Sequence, residues 1–209
     1  MNKFSIVLVS FGFLASCGFI GAPKDKNQLG QGDSGYGMVC GDPALLGEVV
    51  GDVPGEISGC GVKNAVKLRS VSGVTLSQGA VMECGTAKAL KTWVDTGVKP
   101  AFAKLGGGIS ELRVAAHYAC RTRNHKVGAR ISEHGKGRAI DISGFTTKDG
   151  NEYSLLSDYT KGRAGQAIRQ SHKAACGPFG TTLGPGSDGY HENHLHLDIA
   201  RYPGGPYCK

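Results

Sequence analysis

Hydrophobic and polar residues alternate along two segments of the chain, residues 65–71 and residues 112–121. A period of two is typical of a strand that buries one of its faces. In the second segment, Leu112 and Arg113 define the two faces, and every second residue up to Arg121 would lie with one or the other. We therefore predict two half-buried strands.

Two other segments carry small and apolar residues three or four positions apart, which is the spacing of one helical face. Ser77 precedes the first in the position of an N-cap, and Gly177-Pro178 follows the second, where a helix would end. The two predicted faces consist of Ala80, Cys84, Ala87, Leu90 and Val94, and of Ala164, Ala167, Ile168, Ser171 and Ala175.

Two short segments combine strand periodicity with side chains that can ligate a metal. In residues 139–143, Asp141 lies on the face opposite Ile140 and Ile142. In residues 194–199, apolar residues would anchor one face of a strand and leave polar residues on the other. That polar face would consist of His194, His196 and Asp198.

The N-terminal segment differs from the rest in composition. Residues 1–16 have one lysine followed by a short apolar run, as in a signal peptide. At their end, Leu14-Ala15-Ser16 together with the following Cys17 resembles a bacterial lipobox. We expect Cys17 to be lipidated and residues 17–37, which are polar and rich in glycine, to form a flexible tether. Residues 38–209 are long enough for one well-filled domain.

This arrangement predicts a protein of the bacterial cell envelope, lipid-anchored and facing the periplasm. The outer membrane is favoured because Gly18 provides no acidic retention signal. The net charge is +7 and the basic residues are scattered, without the aromatic interleaving of a nucleic-acid surface. We expect a monomer that does not bind nucleic acid.

Apart from Cys17, the chain has an even number of cysteines, which in an exported protein predicts three disulfides. Fifteen pairings are possible for six cysteines, and the sequence does not choose among them. The residues concerned are Cys40, Cys60, Cys84, Cys120, Cys176 and Cys208.

Three imidazoles within six residues, at His191, His194 and His196, favour a metal site over a packing role, because they would repel one another when protonated. A catalytic zinc site commonly uses three protein ligands and leaves one position for water. His134, Asp141 and one of the strand histidines would supply them. His125 and His172 are interpreted as ordinary surface or core residues, and His117 is compatible with either a site or a buried support.

The order of Ser132-x-His134, Asp141 and His194-x-His196 resembles the zinc peptidases that include lysostaphin, the D-alanyl-D-alanine metallopeptidases and the hedgehog domain. Around these residues, Tyr118-Ala119-Cys120-Arg121, Ala139-Ile140-Asp141-Ile142 and His191-x-x-His194-x-His196 are similar to the bacterial extensin-like C-terminal domain family. The resemblance implies an α+β fold: a single domain whose mainly antiparallel central sheet carries the zinc site, flanked by helices and stapled by disulfides.

Carried onto this chain, the resemblance makes His134, Asp141 and His196 the zinc ligands. It makes His194 a catalytic histidine that acts on water or on the oxyanion, and His191 matches a histidine of a murein endopeptidase branch. It also implies that Arg121, with Ser132 beside it, binds substrate. Carboxypeptidase relatives have a glutamate base three residues before the last ligand, where this chain has Asn193.

The expected function is that of a zinc metallopeptidase that hydrolyses peptidoglycan stem peptides, as a D,D-endopeptidase or carboxypeptidase. Two other interpretations stay open. One is an envelope module that keeps the zinc fold for binding alone, and the other is a disulfide-stapled structural lipoprotein without metal.

Overall fold

The computed structural model describes residue 1 and residues 36–209. The predicted signal peptide, the lipidation site Cys17 and nearly all of the predicted tether lie outside the described residues. Within the described part of the chain, none of the helices is long and apolar enough to cross a membrane.

The centre of the domain is one mixed sheet, in which the strands are ordered β1-β2-β3-β4-β5-β6-β9-β8-β10 and β7 pairs with β6. Neighbours are antiparallel except for β4 with β5 and β8 with β10. The strands are β1 Gly37–Val39, β2 Asp42–Pro54, β3 Gly61–Val71, β4 Val74–Met82, β5 Ile109–Ala116, β6 Ala139–Thr147, β7 Glu152–Ser154, β8 Thr181–Leu183, β9 Leu195–Asp198 and β10 Tyr207–Cys208.

Helices pack against this sheet, so the predicted α+β class and mainly antiparallel sheet are confirmed. The helices are α1 Cys84–Trp93, a π-helical turn Val94–Val98, α2 Lys99–Phe102, α3 Leu155–Asp158 and α4 Gly162–Ala175, together with the 3₁₀ helices Arg123–His125 and Glu133–Lys136.

Trp93 joins these layers in the hydrophobic core. Its ring packs edge-on against Phe145 of β6 and Phe179, with centroids 6.4 and 6.3 Å away. Its indole N–H donates to the carbonyl of Ser171 in α4 at 2.7 Å, which satisfies the one polar group of a fully buried side chain. The aromatic cluster therefore holds α1 and α4 against the strand that carries Asp141.

Two boundaries predicted from the sequence are wrong. Ser77 does not cap a helix but lies in β4, where its hydroxyl accepts a hydrogen bond from the Val114 N–H at 3.0 Å, and α1 begins only at Cys84. The strand predicted up to Arg121 ends at Ala116. Beyond it, the backbone bonds instead to the segment that carries His134, with the Ala119 N–H donating to the His134 carbonyl at 3.3 Å.

Three disulfides form, as predicted, and the structure supplies the pairing that the sequence left open. They join Cys40 to Cys84, Cys60 to Cys120 and Cys176 to Cys208. The third fixes the C-terminal strand β10 to the end of α4.

Candidate metal centre

His134, Asp141 and His196 bring one ligand atom each to a common point. Asp141 and His196 lie directly opposite each other in the β6–β9 pair, and Asp141 Oδ1 is 2.9 Å from His196 Nδ1. His134 comes from the 3₁₀ helix, and its Nε2 is 3.1 Å from both of those atoms. The predicted ligands therefore form a compact, largely buried triangle.

The outer nitrogen of each imidazole is held by an acceptor. His134 Nδ1 lies 2.7 Å from the carbonyl oxygen of His117, which can only accept, so Nδ1 carries the proton. His196 Nε2 lies 3.1 Å from Oδ2 of Asp198, a carboxylate that accepts from it. These bonds direct the lone pairs of His134 Nε2 and His196 Nδ1 toward Asp141, in the pattern that supports metal-bound histidines.

Two nitrogen lone pairs and a carboxylate at this distance repel unless a cation or a proton lies among them. Where no cation is bound, the carboxylates favour a proton on the imidazole of His196. Burial acts to lower the pKa of His196, but hydrogen bonds with Asp141 and Asp198 outweigh it and raise the pKa to about 9. Burial likewise acts to raise the pKa of Asp141, yet the hydrogen-bond contacts with His134 and His196, when these rings are protonated toward it, hold it well below its usual range.

Local turn chemistry positions His134. Ser132 caps the 3₁₀ helix, with its hydroxyl accepting from the His134 N–H at 3.4 Å, and Gly137 ends it in the left-handed conformation. The side chain of Glu133 is buried and pairs with Lys136 at 3.0 Å and Arg138 at 3.7 Å. His134 therefore lies on a short helix that is capped at both ends, by Ser132 and by Gly137.

A cleft opens over the triangle. Arg121, Ser132 and His191 line it together with His134 and His196, so the structure brings these predicted site residues together. The Arg121 guanidinium has one long hydrogen bond, to the Thr122 carbonyl at 3.4 Å. It is therefore available to a ligand.

The two remaining imidazoles of the predicted cluster lie beside the triangle. His194 Nε2 is 3.7 Å from Asp141 Oδ2, and its Nδ1 is 2.8 Å from the Asn193 side-chain oxygen. The His191 ring lies 5.1 Å from that of His194 and 5.6 Å from that of His196. Burial lowers the pKa of His194; Asp141 opposes this, and the neighbouring imidazoles add to it.

The other histidines occupy the expected places. His125 is exposed, whereas His172 is buried against the Tyr159 hydroxyl at 3.1 Å. His117 supports the site through its backbone carbonyl. The sequence alone assigned no role to Asp188 or Asp198. The role of Asp198 as a support for His196 could have been predicted, because both residues lie on the same face of the strand.

This donor set suits a metal ion. Two imidazole nitrogens and one carboxylate oxygen are ligands that zinc accepts, and three protein ligands leave a position open toward the cleft. No cysteine takes part, since the six described cysteines are paired. A possible metal-binding group is therefore formed by the three residues predicted to hold zinc.

Fold and site together define a disulfide-stapled α+β domain with a candidate metal centre on its central sheet. The family described as Extensin-like protein C-terminus matches residues 47–209 of the chain, which therefore belongs to this family. No curated protein and no solved structure matches the chain.

Proposed function

We propose that this protein is a zinc metallopeptidase that hydrolyses amide bonds in the stem peptides of peptidoglycan, as a D,D-endopeptidase or carboxypeptidase. The observation that carries the proposal is the His134–Asp141–His196 triangle, whose outer nitrogens are fixed so that the ligand atoms converge beneath an open cleft. A purely structural zinc is more often closed by four ligands.

Placement among the lysostaphin, D-alanyl-D-alanine peptidase and hedgehog zinc proteins is part of this proposal. It is supported by the order of Ser132-x-His134, Asp141 and His194-x-His196 along the chain. The lipobox-like sequence before Cys17 and the disulfides support an exported, lipid-anchored protein of the bacterial envelope, where peptidoglycan is the abundant peptide substrate.

The residues in and around the triangle have different roles in the proposed hydrolysis. Zinc bound there would lower the pKa of a bound water toward ~7 and polarise the substrate carbonyl. The Arg121 guanidinium binds a carboxylate or carbonyl oxygen of the peptide. His191 and His194 supply imidazole nitrogens that accept the proton of water and donate to the developing oxyanion.

The test incubates the purified full chain with cross-linked muropeptides and identifies the products by mass spectrometry. We expect cleavage that stops on chelation and returns with zinc. His194→Ala should retain the metal but lose activity by about 100-fold or more. His125→Ala, which replaces an exposed histidine, is the matched control and should stay active.

The same experiment separates the rival functions. Intact muropeptides together with one bound zinc per chain would contradict hydrolysis and support a binding module of the envelope. Absence of any bound metal would support a structural lipoprotein.

A further inference from the structure

The two imidazoles beside the triangle have different partners. His191 Nδ1 lies 2.6 Å from Oδ1 of Asp188, whereas His194 Nδ1 lies 2.8 Å from the amide oxygen of Asn193. A carboxylate strengthens a hydrogen bond from an imidazole and stabilises the ring when it becomes charged, and an amide does so much less. Only His191 therefore has a carboxylate at hydrogen-bond distance, because the Asp141 carboxylate, which belongs to the triangle, lies 3.7 Å from His194 Nε2.

Asp188 is itself held in place. Its Oδ1 also accepts from the Tyr190 N–H at 2.8 Å, which forms a turn between β8 and β9. Because the carboxylate only accepts, it keeps the proton of His191 on Nδ1 and leaves the Nε2 lone pair on a ring that lines the cleft. Asp188 and His191 both line the cleft, next to the ring of His196.

We propose that Asp188 is a positioning residue that fixes the tautomer and orientation of His191, and that His191 rather than His194 accepts the proton of the attacking water. This inference rests on the proposed peptidase function. It follows the logic of an imidazole base whose second nitrogen is held by a carboxylate.

The proposed hydrolysis begins with attack of water on the amide carbon. The water oxygen forms a bond to the amide carbon, the π pair of the carbonyl moves onto its oxygen, and one water proton passes to His191 Nε2. When the intermediate collapses, the oxyanion pair re-forms the carbonyl, the C–N pair leaves with the nitrogen, and the proton on His191 Nε2 moves to that nitrogen. The products are an amine and a carboxylic acid, which gives its remaining proton to the amine or to bulk water and becomes a carboxylate. His191 returns to its starting form with Nδ1–H still donated to Asp188.

Two variants test the role of Asp188. Asp188→Ala removes the acceptor, whereas Asp188→Asn keeps an oxygen for the Tyr190 N–H and removes only the charge. The matched control is Asp149→Ala, because Asp149 also accepts from the N–H two residues on, at 3.2 Å, but contacts no imidazole. Zinc content, kcat and KM on muropeptides, and the ¹⁵N resonances of the His191 ring are measured for each protein.

We expect Asp188→Ala to keep its zinc and its KM, to lower kcat by about 100-fold, and to lose the single Nδ1–H tautomer of His191. Asp188→Asn should fall between it and the wild type. Because the Asp188 side chain is 41% exposed, added formate should restore part of the activity of the alanine variant. Asp149→Ala should match the wild type in all three measurements.

An active wild type whose kcat or His191 tautomer is unchanged in Asp188→Ala would overturn this inference and leave the proposed function standing. A wild type that binds zinc but cleaves no muropeptide would overturn the proposed function, and with it the proton transfer. The ¹⁵N measurement would still report whether Asp188 sets the tautomer in that case.

Discussion

Asp141 and His196 are direct partners across β6 and β9, with their ligand atoms 2.9 Å apart. The next pair in the register, Ile140 and Leu197, is fully buried in the core. A slip by one residue would turn the ligands inward and the apolar pair outward, so burial fixes the register and the register fixes the ligands. Two of the three candidate ligands are thus set by the sheet rather than by a loop.

Asp198 should matter for metal binding although it is not a ligand. Asp198→Asn removes the charge that holds the Nε2–H of His196, and we expect the affinity for zinc to fall about 10- to 100-fold. Competition with a chromophoric chelator measures the Kd. Asp158→Asn, which alters the carboxylate of the last residue of α3, serves as the control. Equal zinc affinity in the two variants would contradict the supporting role.

Gly137 should be intolerant of a side chain. Gly137 and Gly41 both have positive φ, +65° and +67°, but a Cβ at Gly137 would lie 2.6 Å from Cγ2 of Val62, whereas at Gly41 it meets nothing within 4 Å. Both alanine variants should lose roughly 1 kcal/mol to backbone strain.

Gly137→Ala should lose further stability and, because it ends the helix of His134, some zinc affinity as well. Urea unfolding and zinc titration of both variants make the comparison. Equal losses of stability and of zinc affinity in the two variants would show that neither the Val62 contact nor the end of the His134 helix has an effect.

Acid should destabilise the fold through His172. Burial lowers the pKa of its imidazole to about 4, whereas an unfolded histidine titrates near ~6.5. As the pH falls through ~6.5, the unfolded state gains a proton that the folded state does not, so stability is lost until the folded state also titrates near pH 4. The loss is about 2 kcal/mol between about pH 7 and pH 5.

Urea unfolding in chelator at those two pH values, for the wild type and His172→Gln, isolates this contribution. Between those pH values, the free energy of unfolding should fall by about 2 kcal/mol less in the variant than in the wild type. A pH dependence that is the same in both proteins would contradict the buried, neutral state of His172.

The strands that carry the site could be predicted because their pattern is set by burial. Alternation in residues 139–143 placed Asp141 opposite the isoleucines, and alternation after His194 placed His196 on the face away from the leucines, as the structure has them. The helix start predicted at Ser77 was wrong because the helical spacing of apolar residues began inside β4. There, Leu76 and Ala80 are buried in the core beneath the sheet. Pairing with β3 overrode the local pattern.

The supporting contacts could not be predicted because they depend on the path of loops. The carbonyl of His117 reaches His134 only because the chain leaves β5 at Ala116 and turns back, which no periodicity indicates. Likewise, the Asp188–His191 contact depends on a turn between β8 and β9. Six cysteines allow fifteen disulfide pairings, and only the fold shows which cysteines come close enough to bond.

The metal content of the purified chain decides whether the triangle is a zinc site. We predict one zinc per chain by mass spectrometry of the native protein, and loss of that zinc in His134→Ala, Asp141→Ala and His196→Ala. His172→Gln, which alters a buried histidine away from the triangle, should keep it. A folded wild type without metal, or zinc retained in His196→Ala, would contradict a zinc site at the triangle.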